Sequence, residues 1–440
     1  MLYVLAATTL LGVVGVLVPW LGGLALALDA ALIVAWVVDA ARAARSPLVA
    51  ERTWPRLLMQ GTDDELVVRV ESGAARPLTV RLRETLAPAL AARPLRRTIE
   101  LPPHGAASWR VPLLPSQRGE QRAGPTVARV LGPWRLAWSQ RELIAPETQR
   151  ALPQVRWQGT VGRLLLLAHR RALGAHPQRL RGLGTEPYAL REYLPGDPPV
   201  KIHWKASARH GRLVSREDTW ERGARLVVLL DCGRSMAGRV PGAAGGDARF
   251  VRSKLDHALA AALALARVAV ARGDRVTFVA FSDRVERTVL LHGGQRSVRA
   301  AYQAVYDLEA RLVEPAFDLA AEAAATLESR RSTVVLLTSV VDLAAADLLR
   351  QALLHLERRH RPILVNLEDP ELVALAAEPP TTPADAFAQV GALDIQSANR
   401  ALSSRLRHAG IRVVSTAADR LALETLEAYL ALFGVQRRVA

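Results

Sequence analysis

The length and composition of the chain exclude several classes of protein. At 440 residues it is too long for one ordinary domain and fits two or three. Half of the residues are hydrophobic, which excludes disorder as the main state. The single cysteine, Cys232, excludes an intramolecular disulfide framework and a zinc site built from cysteines.

The formal net charge of +16 does not indicate a nucleic-acid partner. Of the 58 basic residues only three are lysines, namely Lys201, Lys205 and Lys254. The arginines are scattered rather than clustered, and aromatic residues make up only 5% of the chain, whereas nucleic-acid binding favours basic clusters interleaved with aromatics. We therefore expect a solvated basic surface, or attraction to anionic headgroups beside a membrane anchor.

The first forty residues predict a transmembrane helical hairpin at residues 1–41. Leu2–Val18 carries no charge, and Leu24–Val38 is a second apolar run broken only by Asp29. A bilayer span needs ~20 apolar residues, with a lower limit of ~17. With 17 and 15 residues, the two runs are just long enough for a hairpin if Pro19–Gly23 forms a tight turn between them. A cleaved signal peptide is the alternative, although the basic n-region is missing and the apolar stretch is long.

Basic residues follow this segment at Arg42, Arg45, Arg52 and Arg56. Positive charge stays on the cytoplasmic side of a membrane. We therefore expect the inner (cytoplasmic) membrane as the location, with the lipid bilayer as a partner and the large C-terminal portion in the cytosol.

The middle of the chain, residues 46–155, predicts an antiparallel β-sandwich-like domain. Short stretches with period-two alternation are separated by proline and glycine, which is typical of such domains. The candidate strands are Glu65–Val70, Leu78–Arg83, Arg97–Leu101, Ala107–Leu113 and Thr126–Leu131. No nucleophile, base and acid occur together here, so we expect a spacer or docking module.

Residues 225–440 predict a doubly wound α/β domain. Apolar runs such as Leu226–Leu230, Thr333–Thr338 and Pro362–Leu367 alternate with helical stretches, which favours a parallel sheet with helical crossovers. Ligands bind such sheets beyond the carboxyl ends of the strands. Asp231 lies at one such end and Ser235 follows four residues later. This spacing is the start of a metal-ion-dependent adhesion site, which would hold Mg²⁺ by carboxylate and hydroxyl oxygens.

The stretch before that domain, within residues 156–224, carries the most specific motif. It reads Leu190-Arg191-Glu192-Tyr193-Leu194-Pro195-Gly196-Asp197 and continues as Ile202-His203-Trp204-Lys205-Ala206-Ser207-Ala208-Arg209. This resembles the signature of domain-of-unknown-function family 58, L-R-E-Y-x-x-G-D followed by I-x-W-K-x-x-A-R. The resemblance extends over nearly the whole chain. It implies that the C-terminal domain is von Willebrand factor A-like. It also implies that the partner is a MoxR-type AAA+ ATPase, with other membrane proteins as further partners.

The chain departs from this family at the strand tips. Gly233 replaces the middle serine of the D-x-S-x-S pattern, and Thr338-Ser339 stands where Thr-Asp is common, with the next carboxylate at Asp342. So few oxygen ligands predict weak Mg²⁺ binding, since affinity follows ligand charge and number. The competing interpretation is that Asp231 and Ser235 cap or tie a loop.

Two interpretations of the signature remain open. In the structural one, Tyr193 and Trp204 pack at a domain junction, while Gly196 and Asp197 form a turn. In the functional one, Arg191, Lys205 and Arg209 form a charged docking face. Asp197, His203 and Ser207 occur in an order that allows a hydrolase triad, but no nucleophile turn is visible.

The chain is therefore interpreted as a non-enzymatic, membrane-anchored scaffold or adaptor. Its cytosolic A-like domain would bind protein partners in the maturation of an envelope or a complex. A Mg²⁺-dependent receptor using Asp231 and Ser235 is the alternative.

Overall fold

The structure is a computed structural model that describes residues 19–154, 162, 186–193, 202–219, 224–241, 251–291, 294–341 and 343–432. The chain divides into two compact units, Met1–Gln154 and Val155–Ala440. The fold is mixed α/β: an apolar helix and antiparallel sheets in the first unit, and a mostly parallel sheet in the second.

The predicted turn in the membrane segment is wrong. Pro19–Gly23 are the first residues of one helix, α1, Pro19–Ala44. A proline is tolerated there because the first N–H groups of a helix have no intrahelical acceptor. Within α1, Gly22–Ala44 is long and apolar enough to cross a membrane, with 23 residues and a mean hydropathy of 2.1. The described residues contain this one candidate span, and the predicted first arm, Leu2–Val18, lies outside them.

The rest of the first unit consists of antiparallel strands packed around an apolar core. The predicted strands are all present, and the full set is β1 Leu48–Thr53, β2 Leu58–Met59, β3 Asp64–Ser72, β4 Leu78–Arg83, β5 Arg96–Leu101, β6 Ala106–Leu113, β7 Gly119–Ala123, β8 Thr126–Leu131, β9 Trp138–Ile144 and β10 Glu147–Leu152. Three sheets form, in the orders β1-β3-β6, β5-β4-β8-β9 and β2-β10-β7. In the third, β2 runs parallel to β10.

Alternation of side chains explains this core. On β3 the buried residues Leu66, Val68 and Val70 alternate with more exposed ones, and on β4 Leu78, Val80 and Leu82 do the same. Since successive side chains of a strand point to opposite faces, each strand buries one face. The buried faces meet in one cluster that includes Trp109.

The first strands described in the second unit form an antiparallel pair. Its strands β11 Glu186–Glu192 and β12 Val214–Thr219 pair antiparallel, and the short helix α2, Trp204–His210, lies between them in sequence. A second small antiparallel pair joins β14 Arg239–Pro241 to β15 Val251–Ser253.

The main sheet of the second unit has six strands in the order β17-β16-β13-β18-β19-β20. The strands are β13 Arg225–Asp231, β16 Arg275–Phe281, β17 Val285–Leu291, β18 Thr333–Thr338, β19 Arg361–Leu367 and β20 Arg412–Thr416. All neighbours are parallel except β16 and β17. The predicted parallel sheet is thus confirmed, with an additional antiparallel edge strand.

Helices cover both faces of this sheet. They are α3 Lys254–Ala271, α4 Gly294–Val305, α5 Phe317–Leu327, α6 Leu343–Glu357, α7 Pro370–Ala377, α8 Pro383–His408 and α9 Leu421–Ala431. Side chains of α5, α6 and α8 share one buried cluster with the alternate residues Val227 and Leu229 of β13. Helices α3 and α9 pack together, and α3 contacts β13, β16 and β18. The sequence pattern predicted only the end of α8 and did not predict α7.

Candidate functional site

The strand order identifies a crevice between the carboxyl ends of β13 and β18. Numbered along the chain, the order is 3-2-1-4-5-6, so the direction of winding reverses between the first and fourth strands. In open α/β sheets, ligands bind at this point. Asp231 is the last residue of β13, and Thr338 is the last residue of β18. The crevice is therefore our candidate site.

Asp231 is fully buried in the crevice and has its hydrogen bonds satisfied by the chain itself. Its Oδ2 accepts from the Thr338 hydroxyl at 2.5 Å, and its Oδ1 accepts from the Gly233 N–H at 2.7 Å. Burial raises the pKa of Asp231 to about 6, while these two hydrogen bonds oppose the rise. The carboxyl group thus ties the loop after β13 to the neighbouring strand.

Gly233 fits a position with little room for a side chain. A Cβ on this residue would lie 3.0 Å from Asp231 Oδ1 and 3.1 Å from the Val313 carbonyl oxygen. The glycine that departs from the D-x-S-x-S pattern is therefore matched to the packing of this loop.

Ser235, the other predicted metal ligand, lies in a short 3₁₀ turn, Arg234–Met236, and is half-buried. Both residues lie in the described part of the chain, and no hydrogen bond joins the Ser235 hydroxyl to Asp231. Among the described residues no group of three or more His, Cys, Asp or Glu side chains could hold a metal ion. Asp342 lies outside those residues.

A buried ammonium group lies at the same edge of the sheet. Lys254, the first residue of α3, is 3% exposed. Its Nζ donates to Asp369 Oδ2 at 2.5 Å and to the Ser339 hydroxyl at 3.2 Å. Ser339 follows Thr338, the partner of Asp231, and its hydroxyl donates to the Leu367 carbonyl at the end of β19. The ammonium therefore ties the start of α3 to Asp369 and to the residue that follows β18.

Sequence reasoning did not assign a role to Lys254 or Asp369. One signal was present, because a lysine persists here in a chain whose basic residues are nearly all arginine. Lysine presents a compact point charge on an unbranched stem, which suits a narrow buried position better than a planar guanidinium. Asp369 also caps α7, accepting from the Glu371 N–H.

A cleft of mixed polar and apolar lining adjoins Asp369, beyond the ends of β19 and β20. Its volume is about 390 Å³, and it is lined by residues that include Asp369, Asn399, Arg400, Ser403 and Arg407. The Asn399 amide donates to the Val340 carbonyl, so the α8 side of the cleft is held to the loop after β18.

Helix α7 and the first part of α8 form a segment, residues 368–394, that exposes both acidic and apolar side chains. We call this segment the acidic hairpin. It carries six carboxylates and no basic residue, in a chain with a net charge of +16. No residue of α7 is buried. The hairpin exposes large apolar side chains, with exposed fractions of 46% for Val373, 41% for Leu375, 81% for Phe387, 56% for Val390 and 45% for Leu393. Exposed apolar surface rimmed by charge marks interaction sites.

The signature residues lie on the β11–β12 hairpin and α2. Arg191 is on β11, opposite Ser215 of β12. The Tyr193 N–H donates to the Leu213 carbonyl. Trp204 is 67% exposed. Lys205 and Arg209 are exposed and four residues apart on α2, so they share a helix face. Gly196 and Asp197 lie outside the described residues.

His203 and Ser207 hold the backbone of this region. His203 Nδ1 accepts from the Ala206 N–H and caps α2. The Ser207 hydroxyl donates to the His203 carbonyl and accepts from the Val214 N–H. Both side chains are therefore engaged with backbone groups in the described structure.

Comparison with known proteins identifies one family. A family model described as "Protein of unknown function DUF58" matches residues 189–412, just over half of the chain. No curated protein matches the chain.

Several solved structures resemble parts of the chain. PapD-like domain 7 of human CEP192 is 13% identical over 24% of this chain and 84% of its own, with a TM-score of 0.20. An alpha-2-macroglobulin structure from Escherichia coli is 17% identical over 24% of this chain and 17% of its own, with a TM-score of 0.21. Proximal thread matrix protein 1 from the mussel byssus is 12% identical over 48% of this chain and 46% of its own, with a TM-score of 0.24. At these TM-scores the likenesses carry no functional argument.

Proposed function

Because the chain belongs to the DUF58 family, whose function is described as unknown, we propose that it is a non-enzymatic, membrane-anchored adaptor. Helix α1 is the anchor. The parallel-sheet domain, which we interpret as von Willebrand factor A-like, captures a protein partner. The partner class is a MoxR-type AAA+ ATPase, as the family resemblance implies, and the process is maturation of an envelope or another protein complex.

The acidic hairpin is the observation that carries this proposal. A surface that exposes Phe387 and Val390 among carboxylates is costly to leave in water and favours a protein partner with a basic, apolar groove. Aromatic side chains of this kind are frequent anchors of binding energy at interfaces.

A second observation links this surface to the crevice. Asp369, at the start of the acidic hairpin, accepts from the buried ammonium of Lys254. Lys254 in turn contacts Ser339 at the tip of β18. A partner that moves α7 would therefore disturb the crevice, and a ligand in the crevice would disturb the hairpin. This reciprocity is required of any two linked binding sites.

We propose that the C-terminal portion faces the cytosol. The support is the run of basic residues that follows the apolar part of α1, including Arg42 and Arg45. Protease protection in inverted membrane vesicles tests this orientation, since a cytosolic domain is cleaved there without detergent.

The adaptor proposal is tested by measuring the affinity of the full chain, in detergent, for a purified MoxR-type ATPase from the same genome. We expect Phe387→Ala to weaken binding at least tenfold, because a central aromatic anchor is removed. Leu312→Ala is the matched control, since Leu312 is 84% exposed outside the hairpin. Equal affinities of the wild type and the Phe387 variant would remove the hairpin from the proposal, and absence of binding by the wild type would remove the ATPase.

A Mg²⁺-dependent receptor is the second candidate, and the position of Asp231 at the switch point favours it. Each oxygen of the Asp231 carboxyl group already accepts a hydrogen bond, from Gly233 or from Thr338, which weighs against it. Calorimetric titration with MgCl₂ decides between the two. We expect no heat of binding at millimolar concentration, whereas binding that disappears in Asp231→Asn would favour the receptor.

A further inference from the structure

Helix α1 changes its environment at Asp39. From Pro19 to Val38 the helix has about 20 residues and rises about 30 Å, which is the thickness of the hydrocarbon core of a bilayer. Large apolar side chains are exposed along this length, including Ile33, Val34, Trp36 and Val37. Asp39 and Ala43 are then fully buried. The apolar length ends where contact with the β domain begins.

Asp39 fastens the helix to the turn between β8 and β9. Its carboxylate accepts three backbone N–H groups, from Trp134 at 2.7 Å, Leu136 at 2.9 Å and Ala137 at 3.0 Å. A Cβ on Gly132 would fall within 2.5 Å of that carboxylate, so only glycine admits this approach. Each charge-assisted hydrogen bond is stronger than a neutral one.

The C-terminal end of the helix is fastened as well. The Arg141 guanidinium of β9 donates to the carbonyl oxygens of Ala44 and Ser46. Strand β1 begins at Leu48, four residues after the helix ends. The chain therefore has no flexible linker between the apolar helix and the β domain.

This rigid connection fixes which part of the β domain lies next to the membrane. The turn held by Asp39 presents Trp134 and Trp138 with exposed fractions of 49% and 41%. The Arg42 guanidinium lies 4.9 Å from the Trp134 ring centre, and the Arg81 guanidinium lies 4.9 Å from the Trp138 ring centre. Arg135, between the tryptophans, is exposed. We call Arg42, Trp134, Arg135 and Trp138 the collar.

We propose that the collar lies in the headgroup layer of the membrane that α1 crosses, with its arginines on lipid phosphates and its tryptophan rings at the interface. Tryptophan is enriched at this depth because its ring is amphipathic. Arginines close to an anionic leaflet each add about 1 kcal/mol of attraction. The β domain is thereby held against the bilayer surface rather than suspended from it.

Quenching of a fluorophore by headgroup-labelled lipid tests this placement in the full chain. The background is Cys232→Ser, because Cys232 is the sole cysteine and is buried. Arg135→Cys places a nitrobenzoxadiazole label in the collar. Arg96→Cys is the matched control, because Arg96 is an exposed arginine on β5, three strands from β9 and so about 14 Å away. Vesicles contain phosphatidylcholine, phosphatidylglycerol and a nitroxide-headgroup lipid.

We expect the label at position 135 to be quenched at least threefold more than the label at position 96, and to be the better shielded from aqueous iodide. The inference rests on the anchoring part of the proposed function, and vesicle flotation separates the two. A chain that does not float overturns both. A chain that floats while its two labels are equally accessible to iodide leaves the anchor standing and overturns the collar.

Discussion

Among the described residues, each unit of the molecule has a buried ion pair that joins distant parts of the chain, and the two pairs are built differently. In the β domain, Arg52 donates to Glu84 at 2.6 Å, with exposed side-chain fractions of 1% and 0%. In the parallel-sheet domain, Lys254 donates to Asp369 at 2.5 Å, with exposed fractions of 3% and 20%. The first pair is closed to water on both sides, whereas the second keeps one partner partly exposed.

The two pairs also differ in the structural elements that they join. Arg52 also donates to the Gly124 carbonyl, the Thr126 hydroxyl and Glu147, so its planar group joins several strands of the β domain. Lys254 connects the start of α3 to the residue after β18 and to the residue before α7. The arginine pair therefore stabilises a core, whereas the lysine pair lies where a ligand or partner could alter it.

Removing Arg52 gives the largest expected effect. Arg52→Met should lower the free energy of unfolding by about 3–5 kcal/mol, because the buried carboxylate of Glu84 loses its partner. Urea unfolding of the full chain in detergent, followed by tryptophan fluorescence, measures this. The double variant Arg52→Met/Glu84→Gln should recover part of the loss, since the unpaired charge is gone. A loss below 1 kcal/mol in the single variant would contradict the description of this pair.

The pH dependence of stability should report the Asp231 carboxyl group. Its folded pKa of about 6 exceeds the unfolded value of 3.8, so the folded state holds the proton more tightly and stability falls as the pH rises through this interval. The difference amounts to about 3 kcal/mol between pH 3.5 and pH 7. Unfolding of wild type and Asp231→Asn across that range isolates the contribution. Parallel curves for the two proteins would mean that Asp231 titrates normally.

Removing Lys254 should cost less than removing Arg52. We expect Lys254→Met to lower the free energy of unfolding by about 1–3 kcal/mol, because Asp369 is partly exposed and can regain water. The same variant should weaken capture of the partner, since the start of the acidic hairpin loses its tie. Asp369→Asn is the matched change on the other side. Partner affinity that is unchanged in both variants would break the proposed link between hairpin and crevice.

Local sequence patterns predicted the strands, because the burial of a strand's faces depends on residues that are close together in the chain. Period-two alternation predicted β3 and β4, and unbroken apolar runs predicted β13 and β18, because burial on one or both faces leaves a direct pattern. The Pro19–Gly23 turn was wrong because proline and glycine signal a break without regard to their place in a helix. At the first turn of α1 the proline has no hydrogen bond to lose.

Long-range contacts were beyond the sequence. Asp39 lies 95 residues from Trp134, and Lys254 lies 115 residues from Asp369. Nothing in the local pattern around either acid indicates its partner. Helix α7 and the first part of α8 were missed for another reason. Their apolar residues are exposed, so they do not follow the core-facing periodicity that identifies helices.

The smallest expected effect is that of a substitution at Gly233, in the loop that Asp231 holds at the crevice. Gly233→Ser restores the D-x-S-x-S pattern but places a Cβ 3.0 Å from Asp231 Oδ1 and 3.1 Å from a backbone carbonyl. The loop must shift, at a cost of about 1 kcal/mol. We expect a slightly lower melting temperature and no rise on addition of Mg²⁺, because both oxygens of the Asp231 carboxyl group still accept hydrogen bonds from the chain. Thermal unfolding with and without 10 mM MgCl₂, with wild type alongside, measures both. A Mg²⁺-dependent rise in the Gly233→Ser variant alone would show that the missing hydroxyl, and not the hydrogen bonding of Asp231, keeps metal from this crevice.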